Sequence, residues 1–173
     1  MRPPRSADAS AASPRQPRWR NRKVVVAWIA VVACIGLVLW LGSETFAANS
    51  TSRFVRPLLI YLFPEMTSRE LWMAQVWVRK TAHALEYAVL ALLAFRALWL
   101  SFETILARLA AGALLLVLAV ATVDEFRQGF LQLRTGSPSD VMLDCLGALL
   151  AVGIAVLCLR RRQSLRDGES PGG

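Results

Sequence analysis

Four ionisable groups lie within two turns of one mostly apolar run: Arg79, Lys80, His83 and Glu86, in VRKTAHALEYAVLALLAFRAL. A charged side chain at the centre of a membrane helix costs about 2.5–3.5 kcal/mol, so such groups face one another or a wet cavity. His83 and Glu86 are spaced i, i+3, and Arg79 and His83, like His83 and Tyr87, are spaced i, i+4. On a helix these spacings put Arg79, His83, Glu86 and Tyr87 broadly on one face, with Lys80 at its edge. An imidazole beside a carboxylate can act as a general acid or base. The bland alternative is a satisfied core histidine, with Arg79 and Lys80 snorkelling to head groups. The cost of placing His83 and Glu86 in an apolar run favours function for that pair.

A second polar set lies in TVDEFRQGFLQLRTGSPSDVMLDCLG. Asp124 and Gln128 are i, i+4, and Glu125 and Gln128 are i, i+3. One acid is expected to turn inward with Gln128 and the other to stay at a solvated helix end. Arg134 follows in the loop. Asp140 comes after Ser137-Pro138-Ser139, a good helix start, where it can cap the helix or meet the positive dipole. Asp144 lies one turn deeper. Gly147 and Gly153 read as close-packing points between helices. Together the two sets supply one imidazole nitrogen and several carboxylate oxygens, which would suit a hard or borderline divalent ion. A single histidine, the weak HxxE spacing and the competing cations Arg79, Lys80 and Arg134 argue against one, so no metal is expected. The chain has no Gly-rich phosphate loop and no nucleophile elbow. Neither a cofactor nor an oligomeric state is specified.

The elements that must carry these residues are apolar. Of 173 residues, 55% are hydrophobic, and they concentrate in blocks at 24–41, 82–100, 105–123 and 141–159. A spanning helix needs about 20 mostly apolar residues. The pattern predicts an all-α integral membrane protein with four transmembrane helices in one domain over 24–159, between basic tails at 1–23 and 160–173. The first tail, rich in Pro, Ser, Ala and Arg, is expected to be disordered. The net charge of +8 sits largely in arginines before the first block and after the last. That is the positive-inside signature, predicting a plasma (inner) membrane protein with both termini cytoplasmic. A nucleic-acid partner is not expected, because its surface would need a soluble fold to carry it. Cleavage of the first block as a signal peptide, near Ala47 or Ala48, is disfavoured by the length of the run and the poor Thr45-Phe46-Ala47 site. Cys34, Cys145 and Cys158 form no CxxC pair and read as small buried apolar side chains.

In this topology, 42–75 and 124–140 lie outside. RPLLIYLFP, bounded by Pro57 and Pro64, is too short to span and reads as an interfacial or re-entrant piece. Trp72 and Trp77 suit the head-group zone. His83, Glu86, Asp124, Glu125, Arg134, Asp140 and Asp144 then fall near the outer surface and come from three helices. One outward-facing cluster is expected, with His83 near Asp124 or Glu125 and Arg134 near Asp140.

KTAHALEYAVLALL resembles the second-helix motif of VanZ-like membrane proteins, which carry Lys, His and Tyr at these spacings. VDEFRQGFLQLRTGSPSDVMLDCLGALLAVG resembles their second motif: Asp-Glu, then Gln, a loop Arg, an Asp and a small-residue helix. Both occur in order, over about residues 40–155. Lys80, His83, Glu86, Tyr87, Asp124, Glu125, Gln128, Arg134, Asp140 and Gly147 fall on motif positions, and Asp144 stands where many relatives carry Asn. The name-giving member is associated with low-level resistance to teicoplanin, a lipid-anchored glycopeptide. The resemblance therefore implies a cell-envelope membrane protein with a possible link to glycopeptide resistance.

Three functions fit. The leading one binds a membrane partner, an anionic envelope lipid or glycolipid head group. Arg79, Lys80 and Arg134 would hold the negative group. Glu86, Asp124, Glu125 and Asp140 would orient hydroxyls, with Tyr87, Gln128 and Asp144 completing the binding set. The second is an intramembrane enzyme on the same lipid, with His83, Glu86, Asp124 and Glu125 as acid–base groups. The third is a scaffold whose charges lock helices together. A transporter fits less well: the helices are few, no internal repeat is visible and no span is broken near its centre.

Overall fold

The structure, a computed structural model, describes residues 22–42, 48–129 and 138–168. The helices are α1 (Arg22–Leu41), α2 (Ala48–Leu62), α3 (Ser68–Ser101), α4 (Leu106–Gly129) and α5 (Pro138–Gly168). Four stretches are long and apolar enough to cross a bilayer: α1, α3, α4 and Ser139–Leu165 of α5. The protein is an all-α, multi-pass membrane protein. Hydrocarbon offers backbone N–H and C=O groups no water, so a helix, which bonds them internally, is the form these blocks take.

α3 is the centre of the bundle. It packs against α1, α2, α4 and α5, and α4 packs against α5. Leu90, Ala91, Ala94 and Ala97 of α3 are fully buried. They meet Val31 and Val38 of α1, Ala113 and Val117 of α4, and Ala148 and Val152 of α5 in one apolar cluster. Lipid tails are as apolar as leucine, so small residues that let backbones approach are what holds such a contact together. Larger residues such as Val26, Ile29, Leu115 and Ile154 are exposed on the outside of the bundle. In the membrane that outside is the lipid face.

The helices outrun the apolar blocks. α3 begins at Ser68, well before the apolar block opens at 82, behind a capping box. The Glu70 carboxylate accepts from the Thr67 N–H at 2.8 Å, and the Thr67 hydroxyl accepts from the Glu70 N–H at 3.4 Å. Two orphan donors are thereby satisfied, and a polar extension carries the exposed Trp72 and Trp77. α4 continues past 123 to Gly129, which keeps Asp124 and Gln128 on the helix end that their i, i+4 spacing suggests. α5 starts with Pro138 in its first turn and continues to Gly168, so Arg160, Arg161 and Arg162 ride on helix beyond the apolar block. Hydropathy marks where lipid contact ends; it does not mark where a helix ends. RPLLIYLFP contributes to α2, a helix of 15 residues with Pro57 inside it. That length falls short of the roughly 20 residues a span needs. Residues 1–21, the cleavage reading at 45–47, and Arg134 lie outside the described residues.

Contacts between helix ends set the directions. The Trp28 indole N–H donates to the Ser101 hydroxyl at 3.0 Å, tying the start of α1 to the end of α3. Arg127 Nη1 donates to the Leu39 carbonyl at 3.4 Å, tying the end of α4 to the end of α1. Lys80 pairs with Asp140, tying α3 to the start of α5. α1 and α4 therefore run one way, and α3 and α5 the other. The last turns of α1 and α4 and the first turns of α5 gather at one end of the bundle.

Candidate functional site

Asp124 lies at the heart of that end. It is 3% exposed. Its Oδ2 accepts from Gln128 Nε2 at 2.7 Å, an i, i+4 contact along α4, and from the Tyr87 hydroxyl of α3 at 3.4 Å. Gln128 and Tyr87 are buried with it. Arg127 Nη1 lies 3.9 Å from Asp124 Oδ1. Gly42, just past the end of α1, sits directly on this group: a Cβ there would come 2.6 Å from Asp124 Oδ1 and 3.1 Å from Gln128 Nε2. A residue without a side chain is what lets the α1 end cover the carboxylate.

Two further layers adjoin it. In one, Lys80 and Asp140 form an ion pair between α3 and α5, each side chain about a third exposed (35% and 37%). Asp140 occupies the first turn of α5, where the helix dipole favours a negative charge. Deeper along the same interface, a Cβ on Gly147 would come 2.6 Å from the Ala84 carbonyl oxygen, so the two backbones touch. Asp144 lies between these two contacts along α5 and is buried. In the other layer, His83 Nδ1 faces Glu86 Oε2 at 3.5 Å on α3, both half-buried.

The donor–acceptor balance gives the site its chemistry. Glu86 Oε2 and Asp124 Oδ1 are buried and make no hydrogen bond among the described residues. A buried acceptor left unpaired costs about 1–3 kcal/mol. Lys80 is committed to Asp140, and Arg127 Nη1 donates to the Leu39 carbonyl and stands 3.9 Å from Asp124 Oδ1, beyond hydrogen-bond distance. The spare capacity therefore accepts hydrogen bonds. Such a site suits a ligand that brings hydroxyl or amine donors. Among the described residues, no three His, Cys, Asp or Glu side chains gather closely enough to hold a metal ion.

The structure brings Lys80, Tyr87, Asp124, Gln128 and Asp140 into cross-helix or buried contacts, with His83 and Glu86 paired beside them. Of the two adjacent acids, Asp124 is the one turned inward, while Glu125 is half-buried and has contacts of its own. Asp140 is held by Lys80, and the expected Arg134 neighbour lies outside the described residues. Arg79 is half-buried and makes no ion pair among the described residues. Gly153 is not a close-packing point: a Cβ there would meet nothing within 4 Å, because it lies on the outer side of α5 while Gly147 faces α3. Cys34 and Cys145 are half-buried, but Cys158 is exposed on the outside of the bundle, where lipid suits a thiol as well as a core does. Two participants were not anticipated. Gly42 looked like the end of an apolar run, and Arg127 like one more charge at a helix end. The run of polar types from 124 to 128 was the only sequence signal that pointed towards Arg127.

The VanZ/LLP1 family model matches residues 26–159, a range that contains every site residue described above. No curated protein and no solved structure matches the chain.

Proposed function

This chain belongs to the VanZ/LLP1 family, and on that premise we propose that its polar end binds the hydroxyl- or amine-bearing head group of an envelope lipid or cell-wall-related glycolipid. The observation that carries this reading is the pair of buried acceptors, Glu86 Oε2 and Asp124 Oδ1. A head group rich in donors would complete both. Tyr87, Gln128 and Gly42 position Asp124, and the Lys80–Asp140 pair fixes α5 beside α3. A donor-bearing head group suits this end better than a purely anionic one, because Lys80 already has its counter-ion. The protein resides in the plasma (inner) membrane with both termini cytoplasmic and the polar end outward, where such head groups are displayed. Glycopeptide resistance of the teicoplanin type would follow from altering the supply or display of that head group.

The experiment is mass spectrometry of the lipids that co-purify with the protein. One head-group class enriched several-fold over the surrounding membrane is expected, and a profile equal to that of bulk membrane overturns the reading. The His83–Glu86 pair at 3.5 Å supports a second reading, acid–base turnover of the bound lipid. Incubation of the loaded protein would then yield a new lipid mass with time, and an unchanged mass excludes turnover. Orientation is tested with an impermeant thiol reagent on intact cells, in a background lacking Cys34, Cys145 and Cys158. Glu65→Cys should label and Ser164→Cys should not; the reverse overturns the topology.

A further inference from the structure

Asp144 differs from the other carboxylates of the polar end. It is 6% exposed, on α5 between Asp140, which Lys80 holds, and Gly147, which lies against the Ala84 backbone. Unlike Asp124, it makes no hydrogen bond and no ion pair among the described residues. The charges felt at Asp144 are those of other acids: Asp140 on its own helix, Glu125 and Asp124 on α4, and Glu86 on α3. The buried Tyr87 hydroxyl donates to Asp124 at 3.4 Å. Cations are present at this end, but each is placed elsewhere. Lys80 pairs with Asp140. Arg127 donates to the Leu39 carbonyl and stands 3.9 Å from Asp124 Oδ1. Arg79 makes no ion pair among the described residues. His83 faces Glu86 at 3.5 Å. Three helices thus bring carboxylates together, and Asp144 has no counter-charge among the described residues.

That separates the two kinds of donor that the polar end could accept. A hydroxyl supplies a hydrogen bond and leaves the excess of negative charge as it was. A protonated primary amine supplies a positive charge and three N–H donors together. Hydrogen bonds to an ionised partner are also the stronger ones. Of the two deficits, a carboxylate held out of water without an opposite charge is the costlier. A quaternary ammonium brings the charge but no N–H, so a primary amine is the better match. Asp144 lies six residues beyond Pro138, the start of α5. At 1.5 Å per residue that is about 9 Å along the helix, a depth that the end of a lipid head group can reach.

We propose that Asp144 is the counter-ion for the primary ammonium of a lipid head group. The inference rests on the head-group reading above and selects the amine over the hydroxyl.

The test titrates the full-length protein in detergent micelles with three lipids, counting bound lipid by native mass spectrometry. Phosphatidylethanolamine carries the primary ammonium, phosphatidylcholine a quaternary one, and a neutral glucosyldiacylglycerol only hydroxyls. Wild-type protein should bind phosphatidylethanolamine about tenfold more tightly than either of the others, the gain of one charge-assisted contact over a neutral one. Asp144→Asn keeps the size, removes the charge and should abolish that preference. Asp144→Glu should retain part of it, and Cys158→Ala, on the outside of the bundle, all of it. Glucosyldiacylglycerol bound as tightly as phosphatidylethanolamine, and both above phosphatidylcholine, overturns the ammonium and leaves the head-group reading standing. Three equal affinities, the result for an Asp144 that carries its own proton at a site with no head-group selectivity, overturn both. A preference that survives Asp144→Asn unchanged overturns the role of Asp144. Displacement of the lipid by millimolar ethanolamine would show a soluble-amine site and overturn the lipid assignment. Should Asp144→Asn fail to fold, wild-type protein carries the prediction through N-methylated phosphatidylethanolamines. Each added methyl group should weaken binding, and an affinity unchanged across the series overturns the proposal.

Discussion

From Leu90 to Ala97, α3 buries Leu90, Ala91, Ala94 and Ala97 completely, in a cluster whose members are apolar throughout. From Lys80 to Tyr87 the same helix carries an ion pair to α5, a half-buried His83–Glu86 pair and a hydroxyl bonded to Asp124. In the apolar half, shape alone positions the helices, and many volume-preserving changes would serve. In the polar half, position is set twice: by specific charged and hydrogen-bonded partners, and by two backbone approaches, Gly147 on Ala84 and Gly42 on Asp124. Those approaches close around carboxylates that each keep one buried oxygen with an ionisable neighbour at 3.5–3.9 Å but no hydrogen bond among the described residues. A lock between helices needs donors to match its acceptors. An excess of buried acceptors is what a lock lacks and a binding site requires.

The sharpest way to break this contrast is steric. Gly147→Val should destabilise the protein by about 1–3 kcal/mol or more, because the new side chain meets backbone rather than a movable side chain. The unfolding midpoint in detergent or bicelles measures it. A variant as stable as wild type would mean that α3 and α5 do not touch there. Next in size is Asp124→Leu, which leaves the buried Gln128 amide and Tyr87 hydroxyl without their acceptor. A loss of about 1–3 kcal/mol is expected in the same measurement. Lys80→Met should cost about 1 kcal/mol or less, since each partner is about a third exposed (35% and 37%). Exchanging the charges, Lys80→Asp with Asp140→Lys, should recover only part of the loss. The pair is restored, but a cation then sits in the first turn of α5 against the helix dipole. Gly153→Ala closes the series as the control for Gly147. It should be neutral, or stabilising by up to about 1 kcal/mol through helix propensity, since its Cβ would meet nothing.

Much of this was legible in the residues. The block at 24–41 became α1, bounded at Arg22 and Leu41, because an unbroken apolar run with a basic edge has few other fates in a membrane. The polar cluster was legible because charge in apolar sequence needs partners. Which partners was not. Lys80 and Asp140 are far apart in sequence, and only the parallel packing of α3 and α5 brings them together. Asp124 and Glu125 are adjacent and chemically alike, so only the rotation of α4 decides which is buried. Glycines pose the same problem: 42, 147 and 153 carry the same letter, yet a neighbouring helix lies against the first two and nothing lies against the third. The start of α3 was hidden for a different reason. Its first turns are polar and amphipathic, held by the Thr67–Glu70 box rather than by hydropathy.

The central claim is that Glu86 and Asp124 hold a ligand and do not serve only to hold helices. The direct measurement is retained head-group lipid per folded protein, with the unfolding midpoint from the same preparation, for wild type, Glu86→Gln, Asp124→Asn and the double variant. The amides keep size and some hydrogen bonding, and remove the negative charge and part of the acceptor capacity. At least a tenfold fall in retained lipid is predicted for each, with midpoints close to wild type for Glu86→Gln and modestly lower for Asp124→Asn. Retained lipid that falls only in proportion to folded protein, in every variant, would contradict the account and leave the cluster as a scaffold.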